Sequence, residues 1–261
     1  MYSINGVPLQ NPEYGWREDP SSVFIPDYAA RTQSLVIPGR PGVWTLPPQP
    51  MDATAVSPAI RTPPQHRDRL RALMMQPNPL LTRTGDPSRG IVLEYQSVAS
   101  EMWLPAERVM LLKFLMRAND VYMRDLAEYT SGPISLAAPT GLSQQVIKIM
   151  PGLSAPVTDM VIRVKGATQG LTITDSQGSW ISSINALPEG SYLRYEGGNG
   201  AFVTTTDTWT GGTPLFANSG PDPFAVNCKY GVTLGAELTI QTTTRSANAL
   251  IEVRGRRAYT A

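Results

Sequence analysis

The chain has 261 residues, of which 41% are hydrophobic and only 16% are charged, and its formal net charge is +1. This balance argues against a nucleic-acid-binding protein and against a polybasic membrane anchor, because both carry a clear basic excess. The single Cys228 and the single His66 exclude an intrachain disulfide, a paired-cysteine zinc site and a multi-histidine metal site. The length allows two domains that fold without such cross-links.

Two further classes are not expected. No apolar run approaches the roughly 20 residues of a membrane-spanning helix. The first ten residues lack the basic and apolar regions of a secretory signal. We therefore expect a protein made in the cytosol that has no membrane span.

The first half of the chain is rich in proline, with 16 of the 24 prolines in residues 1–130. Asn5-Gly6 lies between apolar flanks in residues 2–9, and this pair favours the positive φ angles of a tight hairpin turn. Further short strands are predicted where apolar runs end at Pro or Gly, at residues 23–26, 34–38 and 43–46.

One short helix is predicted over residues 65–76, because Leu70, Leu73 and Met74 recur at helical spacing. Residues 91–98 predict a strand. Residues 106–117 are ambiguous, since they have high helix propensity but are apolar on all sides, as a strand covered on both faces is. Periodicity alone leaves both assignments open.

The second half alternates short β-type runs with turn residues, and no helix is predicted in it. Strands are predicted at residues 161–166, 171–175, 180–184, 191–195, 201–206, 224–230, 237–244 and 249–259. This spacing is typical of an antiparallel sandwich or jelly roll. The segment 131–141 is the predicted linker, and the predicted domains are 1–133 and 134–261.

Motifs of catalysis and cofactor binding are missing from the sequence. There is no phosphate-binding loop, no dinucleotide fingerprint and no nucleophile elbow. The acidic pair Glu18-Asp19 has no visible carboxylate partner for glycoside hydrolysis. His66 is expected in a surface or capping role, and Cys228 is expected as a small buried residue. We therefore expect no enzymatic activity, no cofactor and no metal.

Two tryptophans fall on the predicted sandwich, Trp180 and Trp209. Sugars stack on exposed tryptophan rings, so these residues are candidate carbohydrate contacts. The alternative is that both rings pack in the core, as large aromatic side chains usually do.

The order of several motifs resembles the distal tail (minor tail) proteins of long-tailed bacteriophages. INGVPLQNPEYGWRED at 4–19, with its Trp-Arg pair, resembles their opening, and SLVIPGRPGV at 34–43 resembles an apolar strand followed by Pro-Gly-Arg-x-Gly. NDVYMRD at 119–125 resembles a strand end of the family, although Met123 replaces an aromatic residue. SAPVTDMVIRVKGATQGLTITDSQGSWI at 154–181 and LPEGSYLRYE at 187–196 resemble the second domain. The Pro-rich segment 47–64 departs from the family pattern.

The resemblance implies a mainly β fold. It implies an N-terminal β-sandwich or split barrel with one short helix, six copies of which form a ring, and a C-terminal galectin-like antiparallel sandwich. Residues 106–117 are then a strand. The implied place is the distal end of the virion tail, between tail tube and hub. The implied partners are further copies of the chain, the tail tube protein, the hub protein and the tape measure protein.

Three functions follow for comparison: a structural ring of a phage tail tip, a carbohydrate-binding module that acts in host adsorption, and a hydrolase of cell-wall sugars. The first is preferred. Short extended segments suit strand addition between subunits, so the candidate interface residues are Tyr2, Ile4, Val7, Leu9, Val36, Pro38 and Arg40. Trp180 and Trp209, and host glycans as their partners, belong to the carbohydrate alternative.

Overall fold

The chain divides into two compact units, Met1–Met123 and Arg124–Thr260. The computed structural model describes residues 1–25, 34–35, 44–45, 55–136, 143–183, 186–197, 200–215, 218–219, 224–229 and 234–259. Within these residues the protein is mainly β with one short α-helix, as the sequence predicts. The division falls before the predicted border at 133/134, so residues 124–133 belong to the second unit.

The first unit is built around one antiparallel sheet. Its described strands are β1 (Tyr2–Ile4), β2 (Val7–Pro8), β3 (Arg17–Glu18), β4 (Ser34–Leu35), β5 (Trp44–Thr45), β6 (Ala55–Val56), β7 (Ala59–Thr62), β8 (Leu80–Arg83), β9 (Asp86–Leu104) and β10 (Val109–Ala118). The sheet order is β2-β1-β8-β9-β10-β7-β3, and β6 also pairs with β10. A separate pair joins β4 to β5.

The predicted N-terminal hairpin is confirmed. β1 pairs with β2 across Asn5 and Gly6, whose φ angles are 50° and 79°. Asn and Gly are the residues that adopt this left-handed region at least cost, so the sequence selects the turn. The other edge of β1 pairs with β8, so the hairpin joins the sheet at its end and β2 is the edge strand.

The predicted helix is also confirmed. A short 3-10 turn, Pro64–His66, leads into α1 (Arg67–Met74), which buries Leu70, Leu73 and Met74 in the core of the first unit. His66 lies directly before the helix and makes no side-chain capping hydrogen bond. The lone histidine thus occupies the N-cap position without a capping hydrogen bond from its side chain.

The ambiguous segment 106–117 is a strand from Val109 on, as the resemblance implied, and residues 105–108 form the turn that precedes it. β10 buries Leu112, Phe114, Met116 and Ala118 completely, while the residues between them are half-buried or exposed. Period-two burial is the mark of a strand. The helical alternative is wrong because β10 has a partner strand on each side, β9 and β7, which satisfy its backbone groups.

The second unit is a two-sheet antiparallel sandwich. Its described strands, after β11 (Met123–Asp125) at the division, are β12 (Tyr129–Thr130), β13 (Ile134–Ser135), β14 (Ser143–Ile149), β15 (Val161–Lys165), β16 (Thr168–Gln169), β17 (Leu171–Asp175), β18 (Trp180–Ser183), β19 (Tyr192–Glu196), β20 (Gly200–Thr204), β21 (Thr213–Leu215), β22 (Asn218–Ser219), β23 (Ala236–Thr242), β24 (Thr244–Arg245), β25 (Leu250–Gly255) and β26 (Ala258–Tyr259). One sheet has the order β12-β25-β15-β19-β20-β21, with β13 also on β25, and the other has the order β14-β23-β17-β18-β22.

Alternation along the strands explains how these two sheets meet. Ile162, Val164 and Leu193 of the first sheet line one small cavity together with Leu171 and Ile173 of the second. Since successive strand residues point to opposite faces, Arg163 and Arg194 must lie on the outer face of their sheet. The sandwich core is therefore apolar, and its outer face carries charge.

Two sequence predictions in the second unit need correction. The predicted linker 131–141 includes β13, which pairs with β25, and Leu136, which is fully buried; residues 137–142 lie outside the described residues. The predicted strand 224–230 is not continuous: within the described residues 224–229 only Val226 forms a bridge, to Val157. At Asn227 the backbone N–H donates to the carboxylate of Asp175 at 3.1 Å and is therefore not available to a strand ladder.

We predict that the second unit folds alone, and that a fragment starting at residue 124 is more stable than one starting at 142. The shorter fragment loses β12, β13 and the buried Leu136, and burial of one leucine side chain contributes about 2 kcal/mol. Urea unfolding followed by circular dichroism measures both free energies of unfolding. A non-cooperative transition in the 124–261 fragment would contradict the prediction.

Candidate interaction surfaces

The predicted interface residues of the N-terminal hairpin fall into two groups. Ile4 and Leu9 are fully buried in the core of the first unit, so their side chains support the fold and offer no surface to a partner. Tyr2 and Val7 are half-buried. Val36, Pro38 and Arg40 lie outside the described residues. An interface role for this set stays a prediction.

Tyr2 is held in place by contacts within its own unit. Its ring stacks on Phe24 with centroids 4.4 Å apart, and its backbone N–H donates to Glu18 Oε1 at 2.7 Å. Glu18 thus has a structural role at the start of the chain. Val7 remains as the hairpin side chain that is partly open to a partner.

Exposed apolar side chains mark the far end of the β9–β10 ribbon. Met102 is 53% exposed and Trp103 is 46% exposed. As consecutive strand residues they point to opposite faces. A large aromatic and a methionine in this setting are typical of residues that become buried in a protein–protein contact. The sequence predictions missed this pair, although the MWL run at 102–104 was visible.

The ribbon end is fixed in position by the helix. Glu101, next to Met102, forms an ion pair with Arg67, whose Nε lies 3.1 Å from Oε1, and a second one with Arg71 of α1. Two helix cations on one strand carboxylate hold the strand against α1. The exposed side chains therefore project from a supported element.

A second ion-pair network lies beside the acidic pair Glu18-Asp19. Arg61 donates from Nε to Asp19 Oδ2 at 2.7 Å and from Nη1 to Glu107 Oε1 at 2.6 Å. Asp19 also accepts from the hydroxyl and the backbone N–H of Ser21, at 2.6 and 2.9 Å. These hydrogen bonds from Ser21, and then those from Arg61, lower the pKa of the Asp19 carboxyl against the opposing effect of burial. Asp19 is a structural carboxylate that joins the N-terminal segment to β7.

The two candidate sugar contacts lie in different surroundings. Trp180 is half-buried at the start of β18. Trp209 lies in the connection between β20 and β21, and its ring is in contact with the guanidinium groups of Arg163 and Arg254, at 4.2 and 3.8 Å from the ring centroid. A sugar would have to compete with these arginines for the ring of Trp209.

Other reactive side chains are engaged in structural contacts. Cys228 is buried, as predicted, and its thiol donates to the Leu153 carbonyl at 3.0 Å. Asp175 accepts the backbone N–H groups of Gln177 and Ser179 and so stabilises the turn between β17 and β18. Across the described residues, no group of three or more His, Cys, Asp or Glu is placed to hold a metal ion. No helix among them is long and apolar enough to cross a membrane.

A surface cleft of about 390 Å³ lies within the second unit. Its lining includes Tyr129, Lys148 and Leu234, together with Lys229 and Glu237, which form an ion pair. Of the two lysines in the lining, Lys229 is thus already neutralised by a carboxylate of the same chain. The cleft is consistent with a contact surface and has no cluster of reactive groups.

These observations define a two-unit β protein whose notable surfaces suit contact with other molecules. Among solved structures, the fold is similar to that of the SPP1 Dit (gp 19.1) protein, described as a paradigm of hub adsorption apparatus in Gram-positive infecting phages. The TM-score is 0.51, the identity is 11%, and the match covers 92% of this chain and 97% of that one. No protein-family model and no curated protein matches the sequence. The chain therefore has a fold of the phage distal-tail type.

We predict that Asp19→Asn lowers the stability of the first unit by about 1 kcal/mol at pH 7, since a charge-assisted pair is replaced by a neutral contact. Because the folded pKa of Asp19 is lowered, its stabilisation is complete above the ordinary carboxyl pKa of about 4 and is lost as the pH falls through the folded value. Urea unfolding of wild type and variant from pH 7 to 2 should show the difference shrinking toward zero. A difference that is constant with pH would contradict this role.

Proposed function

We propose that the protein is a structural component of a bacteriophage tail tip. The observation that carries the proposal is the shared fold with the SPP1 Dit protein, which extends over both units at 92% of this chain. The sequence motifs at 4–19, 34–43, 119–125, 154–181 and 187–196 resemble the same class independently of that comparison. The proposed location is the distal end of the virion tail.

In this role the first unit forms a closed ring of like subunits, six in number, between tail tube and hub. A head-to-tail contact between two different faces closes into a ring when the rotation per subunit divides a full turn. Partners in the assembly are the tail tube protein, the hub protein and the tape measure protein. The exposed Met102 and Trp103 on the first unit support a protein contact there.

We predict that Trp103→Asp lowers the oligomer mass, because a charge placed in an apolar contact is costly to bury. Trp103 is 46% exposed in the single chain, so the variant should fold normally. Light scattering coupled to size exclusion measures the mass, and electron microscopy measures the ring symmetry. Circular dichroism confirms that the variant is folded.

Val146→Asp is the matched control for this experiment. Val146 is an apolar strand residue of the second unit with 55% exposure, and the proposal places it outside the ring contact. Its variant should keep the mass of the wild type. Ring formation would be refuted if the wild-type chain stayed monomeric at every concentration. It would also be refuted if the chain contacted no second copy of itself in assembled tails. An oligomer whose mass Trp103→Asp leaves unchanged would place the contact elsewhere.

Carbohydrate contact in host adsorption remains the alternative function, with host glycans as partner. Trp180 is its better candidate, because the ring of Trp209 is in contact with two guanidinium groups. Loss of binding to cell-wall glycans on Trp180→Ala, with folding unchanged, would favour this function.

We propose further that the protein is not a hydrolase of cell-wall sugars. The two acidic residues singled out in the sequence are engaged: Glu18 by the backbone of Tyr2, and Asp19 by Ser21 and Arg61. Purified protein should release no reducing sugar from cell walls. Release that vanishes in both Glu18→Gln and Asp19→Asn, while the variants stay folded, would overturn this prediction.

A further inference from the structure

The outer face of the β15 sheet carries a row of charged and aromatic side chains that no role above uses. Arg163 of β15 lies opposite Glu252 of β25 on one side and opposite Arg194 of β19 on the other. Phe202 of β20 follows Arg194 in the same row. Two arginines directly opposite each other repel, so their environment must supply negative charge.

The loop between β20 and β21, residues 205–212, covers part of this face. Arg163 is only 5% exposed although it lies on the outside of the sandwich. Its Nη1 group lies 2.6 Å from Asp207 Oδ1 and donates to the Thr208 carbonyl at 3.4 Å, and its Nε group donates to Glu252 at 2.8 Å. One arginine thus holds the loop to the sheet.

The sequence accounts for the return of this loop to the sheet. Gly211 and Gly212 have φ angles of 73° and 107°, which other residues rarely adopt. A Cβ atom on Gly212 would lie 2.9 Å from the Val203 carbonyl oxygen. The glycine pair therefore allows a close approach that places Trp209 over the arginines.

Two guanidinium groups in this cluster keep buried donors that have no hydrogen-bond partner among the described residues. Arg194 is 3% exposed; its Nε lies 2.8 Å from Glu196, but its Nη1 is buried without an acceptor. Arg254 stacks on Trp209, and its Nε is likewise buried without an acceptor. Buried unpaired donors of a cation are costly, and such groups commonly mark the site of a water or an ion.

The geometry points to a binding site for a phosphate group at Arg163, Arg194 and Arg254. Guanidinium groups suit phosphate because their donors match its oxygens in pairs. The carboxylate of Asp207 forms an ion pair with Arg163, and the Asp207 side chain is 66% exposed. Asp207 is therefore the group that an incoming anion would displace. Displacement frees the loop and changes the surroundings of Trp209. This site does not depend on the tail-tip role proposed above.

The first experiment titrates the full chain at pH 7 with sodium phosphate at constant ionic strength, and follows tryptophan fluorescence and calorimetric heat. A phosphate-dependent signal is expected, and Trp209→Phe should remove its fluorescence part while the heat remains. Sodium chloride at the same ionic strength should give neither. A lack of phosphate-dependent heat in the wild type and in Asp207→Asn would overturn the proposal.

The Asp207→Asn variant distinguishes phosphate binding at this site from a general effect of net charge on phosphate affinity. Removing the competing carboxylate should tighten phosphate binding by up to roughly fivefold, since an exposed carboxylate competes only modestly. The matched control is Asp159→Asn, which removes another exposed carboxylate of the second unit, paired with Arg124. It should leave the affinity unchanged. Equal tightening in both variants, or none in Asp207→Asn, would overturn the assignment.

A third set of measurements tests the donors and the source of the phosphate. Arg194→Gln should weaken binding at least fivefold; if it unfolds, Arg254→Gln, at a half-buried position, is used instead. Weakening in neither folded variant would overturn the site. A soluble glycerol-phosphate polymer is compared with inorganic phosphate: tighter binding per phosphate assigns the site to a surface polymer, and equal binding assigns it to the phosphate group itself.

Discussion

The antiparallel pairing of β9 with β10 is the constraint on which the first unit depends. The two strands pair from Leu104 and Val109 at the ribbon end to Leu93 and Ala118 at the other. Their outer partners complete the sheet, with β8 on β9 and with β7 and β6 on β10. The order of the sheet, and the place at which α1 covers it, follow from this one hairpin.

The β9–β10 pairing contains two register shifts, and these determine which side chains of β9 reach the core. The register shifts between Lys113 and Phe114 and between Leu115 and Met116, so Phe114 faces Val98 and Met116 faces Tyr95. Without a shift, Val98 and Tyr95 would point to opposite faces, since one is at an even and the other at an odd position. The bulges bring both to the core side, where they pack against the buried cluster.

Local sequence signals predicted those elements whose conformation is set by their own residues. Asn5-Gly6 predicted its turn, and the spacing of Leu70, Leu73 and Met74 predicted α1. Residues 106–117 could not be decided from periodicity, because apolar residues such as Leu111 and Leu115 occupy the half-buried face of β10 as well as its buried face. β14 was missed, although Ile147 and Ile149 alternate in it, because its polar opening resembles a linker. The networks around Asp19 and Arg163 join residues far apart in the chain, so no local pattern could predict them.

The ion pairs in the structure show how several of the charged residues are used. Several carboxylates are joined to cations of their own unit: Asp19 to Arg61, Glu101 to α1, Asp125 to Arg257, and Glu252 to Arg163. Such pairs fix the contacts between elements, and because Asp19, Asp125 and Arg163 are buried, removing the partner of any one of them would leave a costly unpaired charge.

The two units then differ in what they offer a partner. The described surface of the first unit presents Met102 on one face and Trp103 on the other face of a ribbon held by Glu101 and α1, and each side chain suits a lasting apolar contact. The second unit presents guanidinium groups under a loop held by Asp207, which suits a polar and reversible one. Removing water from an apolar pair gives lasting association, whereas exchange of one anion for another on arginine costs little in either direction. In the tail-tip role proposed above, the first surface would serve the lasting contact between subunits and the second a contact that an anion can open.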